Sequence, residues 1–208
     1  MFAADAGLVG GHDTSFVDKP ALSEAVEHRD ALLNSVMKAI TDSAEIPLIV
    51  LAVLVAAVLA WRARSWRPIV LVGCAGVLSV AAATVVKEIA DRTRPPHTYW
   101  LTPETGFSFP SRHTTMTAAL LPVLALLLCE LIRSRLAKAV VWGAAVVLVV
   151  LVGSSRVYLG VHWASDVLGG MALGATVALL LVAGDRVVRG RRRPVAEQES
   201  RESATASS

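Results

Sequence analysis

Between two long apolar runs the chain carries Ser155–Asp166, reading SRVYLGVHWASD, in which an arginine, a histidine and an aspartate stand close together. In a helix starting near Val161, His162 and Asp166 are i and i+4, so the carboxylate can accept a hydrogen bond from the imidazole and fix its tautomer. A histidine held in this way is a candidate nucleophile. Six residues earlier, Arg156 offers a planar guanidinium fork of the kind that suits phosphate oxygens.

Two other stretches carry the same chemistry. In VVKEIADRTRPP, Lys87 and Arg94 are seven apart and share a face if the helix runs on for two more turns, after which Pro95 biases Arg94 out of helical geometry. Taken alone they read as a snorkelling lysine and a loop arginine. In FSFPSRHTT, Ser111 has the character of an N-cap, and the free N–H groups of a helix start form an anion site with His113 in the first turn, placed to give or take a proton. Lys87, Arg94, Ser111, His113, Arg156, His162 and Asp166 thus map to helix ends on one membrane face, where unpaired charge is costly, and together they point to phosphoryl transfer.

The elements that must position them are membrane spans. The chain has 208 residues, of which 54% are hydrophobic and only 18% charged, and its mean hydropathy of +0.58 is far above that of a soluble domain. The expected fold is an all-α transmembrane bundle with apolar runs at Ile46–Trp61, Pro68–Val86, Thr114–Ile132, Ala137–Gly153 and Trp163–Ala183. Each is close to the ~17 to 25 residues that a span requires. Ahead of them lie a polar tail (1–20), without the basic and apolar regions of a cleavable signal, and an amphipathic interfacial helix (21–45). The bundle occupies 46–184, and a basic, then disordered, tail occupies 185–208.

Charge placement reports topology rather than nucleic-acid binding. Arg62, Arg64 and Arg67, then Arg133, Arg135 and Lys138, then Arg186, Arg189 and Arg191–Arg193 fall on one side of a five-span chain, which the positive-inside rule makes cytoplasmic. The loops holding the candidate site are then extracytoplasmic. Cys74 and Cys129 lie in apolar runs as packing residues, and no set of His, Cys or carboxylates has a metal-ligand spacing, so neither metal nor cofactor is expected. Glu88, Asp91 and Glu104 are set aside as acid/base or ligand groups, and His97 is read as a loop histidine at the interface.

The pattern Lys87-(six residues)-Arg94-Pro95, Pro110-Ser111-Arg112-His113 and Ser155-Arg156-(five residues)-His162-(three residues)-Asp166 resembles the type 2 phosphatidic acid phosphatase family, which shares a superfamily with bacterial acid phosphatases and vanadium haloperoxidases. The resemblance covers about Ala31 to Ala183. It implies a metal-independent lipid phosphatase with a phosphohistidine intermediate, acting on a lipid mono- or diphosphate such as an isoprenoid diphosphate or a phosphatidate-like lipid. On that model His162 attacks phosphorus, Asp166 orients it, His113 protonates the leaving oxygen, and Lys87, Arg94, Ser111, Arg112 and Arg156 hold the phosphoryl oxygens.

Two features depart from the family. Arg112 stands where a glycine is usual, which keeps the backbone N–H but restricts φ. Members commonly have six spans, and segment 21–45 resembles the interfacial helix that follows the missing first one. Two other readings compete. A non-catalytic lipid-binding bundle or transporter would place its polar groups near the bilayer midplane rather than at helix ends. A haloperoxidase would have no need of five apolar spans.

Overall fold

The computed structural model describes residues 15–206, with side chains described for 16–190. The described residues form helices α1 (Ser15–Glu27), α2 (Ala31–Ser43), α3 (Ile46–Ala63), α4 (Arg67–Ala90), α5 (Arg112–Leu131), α6 (Arg135–Tyr158) and α7 (Ala164–Ala206), with a 3₁₀ turn at His97–Tyr99 and no strand. Five of them, α3 to α6 and the Ala164–Gly190 part of α7, are long and apolar enough to cross a membrane. The protein is an all-α polytopic bundle, as the apolar runs imply.

The helix ends differ from the apolar runs in an informative way. Span four does not stop at Gly153: α6 continues to Tyr158 and carries Ser155 and Arg156, both buried, in its last turn. Hydropathy marks the stretch that faces lipid, whereas the backbone stays helical for as long as polar side chains find partners inside the bundle. The segment expected as one amphipathic helix is two helices. Asp30 caps the second by accepting from the Leu33 N–H at 2.8 Å, and α1 begins at Ser15, inside the stretch read as a polar tail. Residues 1–14 of that tail lie outside the described residues, as do 207–208 of the tail expected to be disordered. Through Ala206 the backbone instead continues α7, in a stretch rich in the helix formers Arg, Glu and Ala.

Helix α5 is the axis of the bundle. It packs most extensively against α7, then α4 and α6, and along it Met116, Ala119, Leu120, Val123 and Leu127 are buried, several of them against Ala52, Ala56, Val72 and Ala75. The outer helices keep apolar faces exposed, among them Leu54 and Val58 on α3, Val77 on α4, Val146 and Val147 on α6 and Leu179 and Leu180 on α7. These faces are the lipid-contacting surface of a membrane bundle. At one end Arg67 of α4 donates to both Asp185 carboxylate oxygens (2.6 and 2.7 Å) and both Glu130 oxygens (2.7 and 2.9 Å), clamping α4, α7 and α5 together.

Close approach of α5 and α7 depends on Gly170 and Gly174. A Cβ on Gly174 would overlap the Thr115 carbonyl, the Ala118 Cβ and the Ala119 nitrogen, atoms that cannot move aside. The Gly174→Ala protein is expected to lose about 1 to 3 kcal/mol, the usual range for overpacking. Gly184→Ala, with nothing within 4 Å of the added methyl, serves as the matched control. Thermal unfolding in detergent should show a lower Tm for the first variant alone.

Candidate active site

Four helix ends and one loop converge at the end of the bundle opposite the Arg67 clamp. The C-terminal turn of α6 delivers Arg156, which is 1% exposed. The chain then reverses at Gly160, whose φ of +74° and close contact with the Tyr99 backbone leave no room for a side chain. Arg29, between α1 and α2, closes this corner by donating to the Tyr158 carbonyl at 2.6 Å and the Tyr99 carbonyl at 2.8 Å. Such a cation at a helix C-terminus meets carbonyls that lack intrahelical partners.

His162 follows directly and is 1% exposed. It precedes α7 rather than lying within it, because the helix begins at Ala164 and not near Val161. The contact with Asp166 survives across the helix start, with His162 Nδ1 3.4 Å from Asp166 Oδ2. Oδ2 also accepts from the Trp163 N–H at 2.8 Å, so Asp166 closes the first turn of α7 as the acidic member of a capping box does. On the other side of the ring, Arg94 Nη1 lies 3.1 Å from His162 Nε2. A guanidinium can only donate, so it meets the Nε2 lone pair and the ring proton sits on Nδ1, towards the carboxylate. Burial, then the charges of Arg156, Arg94 and Lys87, push the imidazole well below its ordinary value of 6.5.

Asp166 is fully buried and has a cation of its own. Arg92 Nη1 donates to Asp166 Oδ1 at 2.6 Å, and Arg92 Nη2 donates at 2.6 Å to Asp18 of α1, which is 2% exposed. Asp18 also accepts from the Ser165 N–H and hydroxyl, each at 2.8 Å. The backbone carbonyl of Asp166 receives the Ser111 N–H at 3.0 Å, which joins the start of α5 to the start of α7.

At that start Ser111 is the N-cap residue, but its hydroxyl makes no cap bond and instead receives the Thr114 hydroxyl at 3.0 Å. His113 is buried in the first turn, with Nε2 2.9 Å from Glu45, the residue before α3. The Arg112 side chain is exposed on the rim and donates to the same Glu45 oxygen at 3.2 Å. Lys87 and Arg94 do not share a helix face, since α4 ends at Ala90 with Asp91 in the left-handed region. They converge through the loop, Lys87 donating to the Phe107 carbonyl at 2.6 Å and Arg94 to the carbonyls of Gly106 (2.9 Å) and Val161 (2.8 Å).

Arg156 donates to the Thr41 hydroxyl at 2.7 Å through Nη1 and to Glu104 through Nη2. Its Nε is the single buried side-chain polar atom without a hydrogen-bond partner among the described residues. Glu104 also reaches Arg94 Nη2 at 3.4 Å. The structure thus brings together every candidate from the sequence, with Arg112 at the edge, and adds Asp18, Thr41, Glu45, Arg92 and Glu104. Arg92 stands two residues before Arg94 in the same basic run, and that proximity was the only signal for it. The others come from separate segments that only folding brings near. Among the described residues no group of three His, Cys, Asp or Glu could hold a metal.

Residues 48–187 match the model of the PAP2 superfamily, more than half of the chain. The chain belongs to that superfamily. Among its curated relatives is phosphatidylglycerophosphatase B of Bacillus subtilis, 36% identical over 174 residues, covering 83% of this chain and 85% of that one. Another is decaprenylphosphoryl-5-phosphoribose phosphatase of Mycobacterium tuberculosis, 36% identical over 148 residues, covering 70% and 73%. The crystal structure of the PAP2-type phosphatidylglycerolphosphate phosphatase from Bacillus subtilis superposes with a TM-score of 0.78 at 33% identity, covering 86% of this chain and 89% of that one. The chain is therefore a phosphatase of the PAP2 type, with buried histidines at the site.

The environment of His162 gives a direct expectation. Burial and nearby cations both disfavour its protonated form, so its pKa is lowered and the ring stays neutral as pH falls through 6.5. Histidine-selective ¹⁵N NMR of the protein in micelles should show the His162 resonances unchanged between pH 8 and about pH 6. Titration of His162 near its ordinary value would contradict the burial and charge described above.

Proposed function

We propose that the protein hydrolyses a terminal phosphoryl group from a membrane lipid through a phosphohistidine intermediate. The observation that carries this reading is the His162 imidazole, whose Nε2 lone pair faces the cations of the site while Nδ1 is directed to Asp166. His162 Nε2 forms a bond to phosphorus as the bond from phosphorus to the leaving oxygen breaks, and His113 gives that oxygen a proton. Water then attacks the phosphohistidine as its N–P bond breaks and loses a proton to His113, so that inorganic phosphate is released and His162 is regenerated. Lys87, Arg94, Ser111, Arg156 and the backbone of Arg112 stabilise the charge on the phosphoryl oxygens.

Glu45, beside His113, steers its ring, and Asp166 fixes the His162 tautomer and partners the cation that forms. The chemistry requires no metal, because guanidinium and ammonium groups supply the charge. The substrate class that fits is a lipid with a terminal phosphate. Both curated relatives act, by name, on such lipids, one with a glycerophosphate headgroup and one with a phosphoribose carried by decaprenyl phosphate. Charge placement in the loops orients this end of the bundle to the extracytoplasmic side of the cytoplasmic membrane.

Phosphate release should be measured in detergent on phosphatidylglycerol phosphate, phosphatidate and an isoprenoid diphosphate, and it should persist in chelator. Loss of activity in chelator, with recovery on adding a divalent ion, contradicts the scheme. His162→Ala should abolish turnover and the acid-labile phosphoenzyme trapped by rapid quench. His113→Ala should lose ~10² to 10⁴-fold on natural substrates and recover much of it on a nitrophenyl phosphate, whose leaving group needs little protonation. Equal losses on good and poor leaving groups would overturn the role of His113. For the orientation, a cysteine at Thr102, with Cys74 and Cys129 replaced, should react with an impermeant reagent in intact cells. Labelling only after lysis would reverse it.

A further inference from the structure

The phosphoryl site already holds an anion. Glu104, on the loop between α4 and α5, places one carboxylate oxygen on Arg156 Nη2 and the other 3.4 Å from Arg94 Nη2. These are two of the cations assigned above to the phosphoryl group, and the charge of Glu104 acts on His162 as well. The fit is incomplete, since Arg156 Nε is left buried and unpartnered. A carboxylate brings two oxygens to cations that offer more donors than it can meet. A buried donor left unpaired is costly, so the site is built for a ligand with more oxygens than Glu104 has.

We propose that Glu104 is a specificity-determining residue: as a tethered competing anion it shuts the phosphoryl site to phosphodiester headgroups and yields it only to a terminal phosphate. This rests on the phosphatase reading above. A phosphodiester lipid carries one negative charge and two non-bridging oxygens, the same charge and number of acceptors as the carboxylate. Exchanging Glu104 for it gains nothing electrostatically, leaves Nε unpaired and requires the displaced loop to find a new position. A terminal phosphomonoester brings about −1.5 to −2 charges and three oxygens, enough to outcompete the carboxylate and to reach the third donor. The need for such a filter follows from the setting. The site opens at the end of a membrane bundle, where bulk anionic diesters surround it.

Glu104 is also placed to move. It lies at the end of an open groove lined by His97, Trp100, Leu101, Thr102 and Pro103, with a volume of about 490 Å³. Its side chain is 18% exposed, against 2% for that of Arg156 and 7% for that of Arg94. The carboxylate can therefore leave for water along the groove while both guanidinium groups stay in place, Arg156 on Thr41 and Arg94 on the carbonyls of Gly106, Val161 and Thr105.

The test compares wild type, Glu104→Gln and Glu104→Asp in phosphatidylcholine-containing micelles doped with increasing phosphatidylglycerol, using phosphatidate as substrate and orthophosphate as a second, soluble competitor. Wild type should show less than about a twofold rise in apparent KM with phosphatidylglycerol. Glu104→Gln should show a rise of about tenfold, and an orthophosphate Ki lower by about tenfold, equivalent to ~1.4 kcal/mol. Glu104→Asp keeps the charge and should resist phosphatidylglycerol as wild type does. Because Glu104→Gln leaves two cations short of a partner, its unfolding is followed alongside, and orthophosphate should raise its Tm more than that of wild type. Equal phosphatidylglycerol sensitivity in all three active proteins overturns the filter and leaves the phosphatase reading intact. Absence both of turnover and of orthophosphate binding in wild type overturns that reading and this inference with it.

Discussion

The structure around the site depends on how a fully buried carboxylate is kept charged. Taking an ion out of water costs several kcal/mol even after relaxation, and it is tolerated only where partners are well placed. Those of Asp166 include the Arg92 guanidinium on one oxygen, and the Trp163 N–H and the His162 ring on the other. Arg92 in turn is balanced by Asp18, itself buried and held by Ser165. Negative and positive groups alternate from α1 through the loop after α4 to the start of α7. Helix α1 is thereby an integral part of the site, through Asp18 and its bond to Arg92.

Much of this was legible in the sequence, and for physical reasons. Apolar runs of spanning length can be nothing else in a chain of this composition, so the five spans were evident. Lys87, Arg94, His113, Arg156, His162 and Asp166 stood out because ionisable groups at the ends of apolar helices require a reason to be there. Helix limits were less legible. The turn that carries Arg156 looks like a loop by composition, yet it stays helical because the guanidinium is buried against Thr41 and Glu104. Similarly, His162 and Asp166 were placed on one helix by their spacing, whereas the capping geometry brings them together across its start.

The partners of these groups were not legible. Asp18 lies nearly 150 residues from Ser165, Thr41 115 from Arg156, Glu45 almost seventy from His113 and Glu104 about fifty from Arg156. Each is an ordinary polar residue in its local context. Long-range electrostatic pairing leaves no periodic trace, unlike an amphipathic face or a cap, so only the folded arrangement discloses it. Glu104 is the clearest case. Read in isolation it offers no ligand spacing, but beside Arg156 and Arg94 it occupies the position of an anion.

The clamp at the opposite end of the bundle has a mechanical consequence. Arg67 joins the first turn of α4 to the end of α5 and to Asp185 on α7, and these helices deliver Lys87, His113 and Asp166 at their other ends. The 24 residues of α4 make a rod of about 36 Å. Pinned at one end, such a rod is a lever, and a tilt of about 2° would carry its tip by roughly 1 Å, a displacement large enough to matter for catalytic alignment. The angles of α4, α5 and α7 are therefore set far from the groups they aim. Bilayer thickness and lateral pressure, which act on helix tilt along the whole rod, become mechanical inputs to a chemical centre that they never touch.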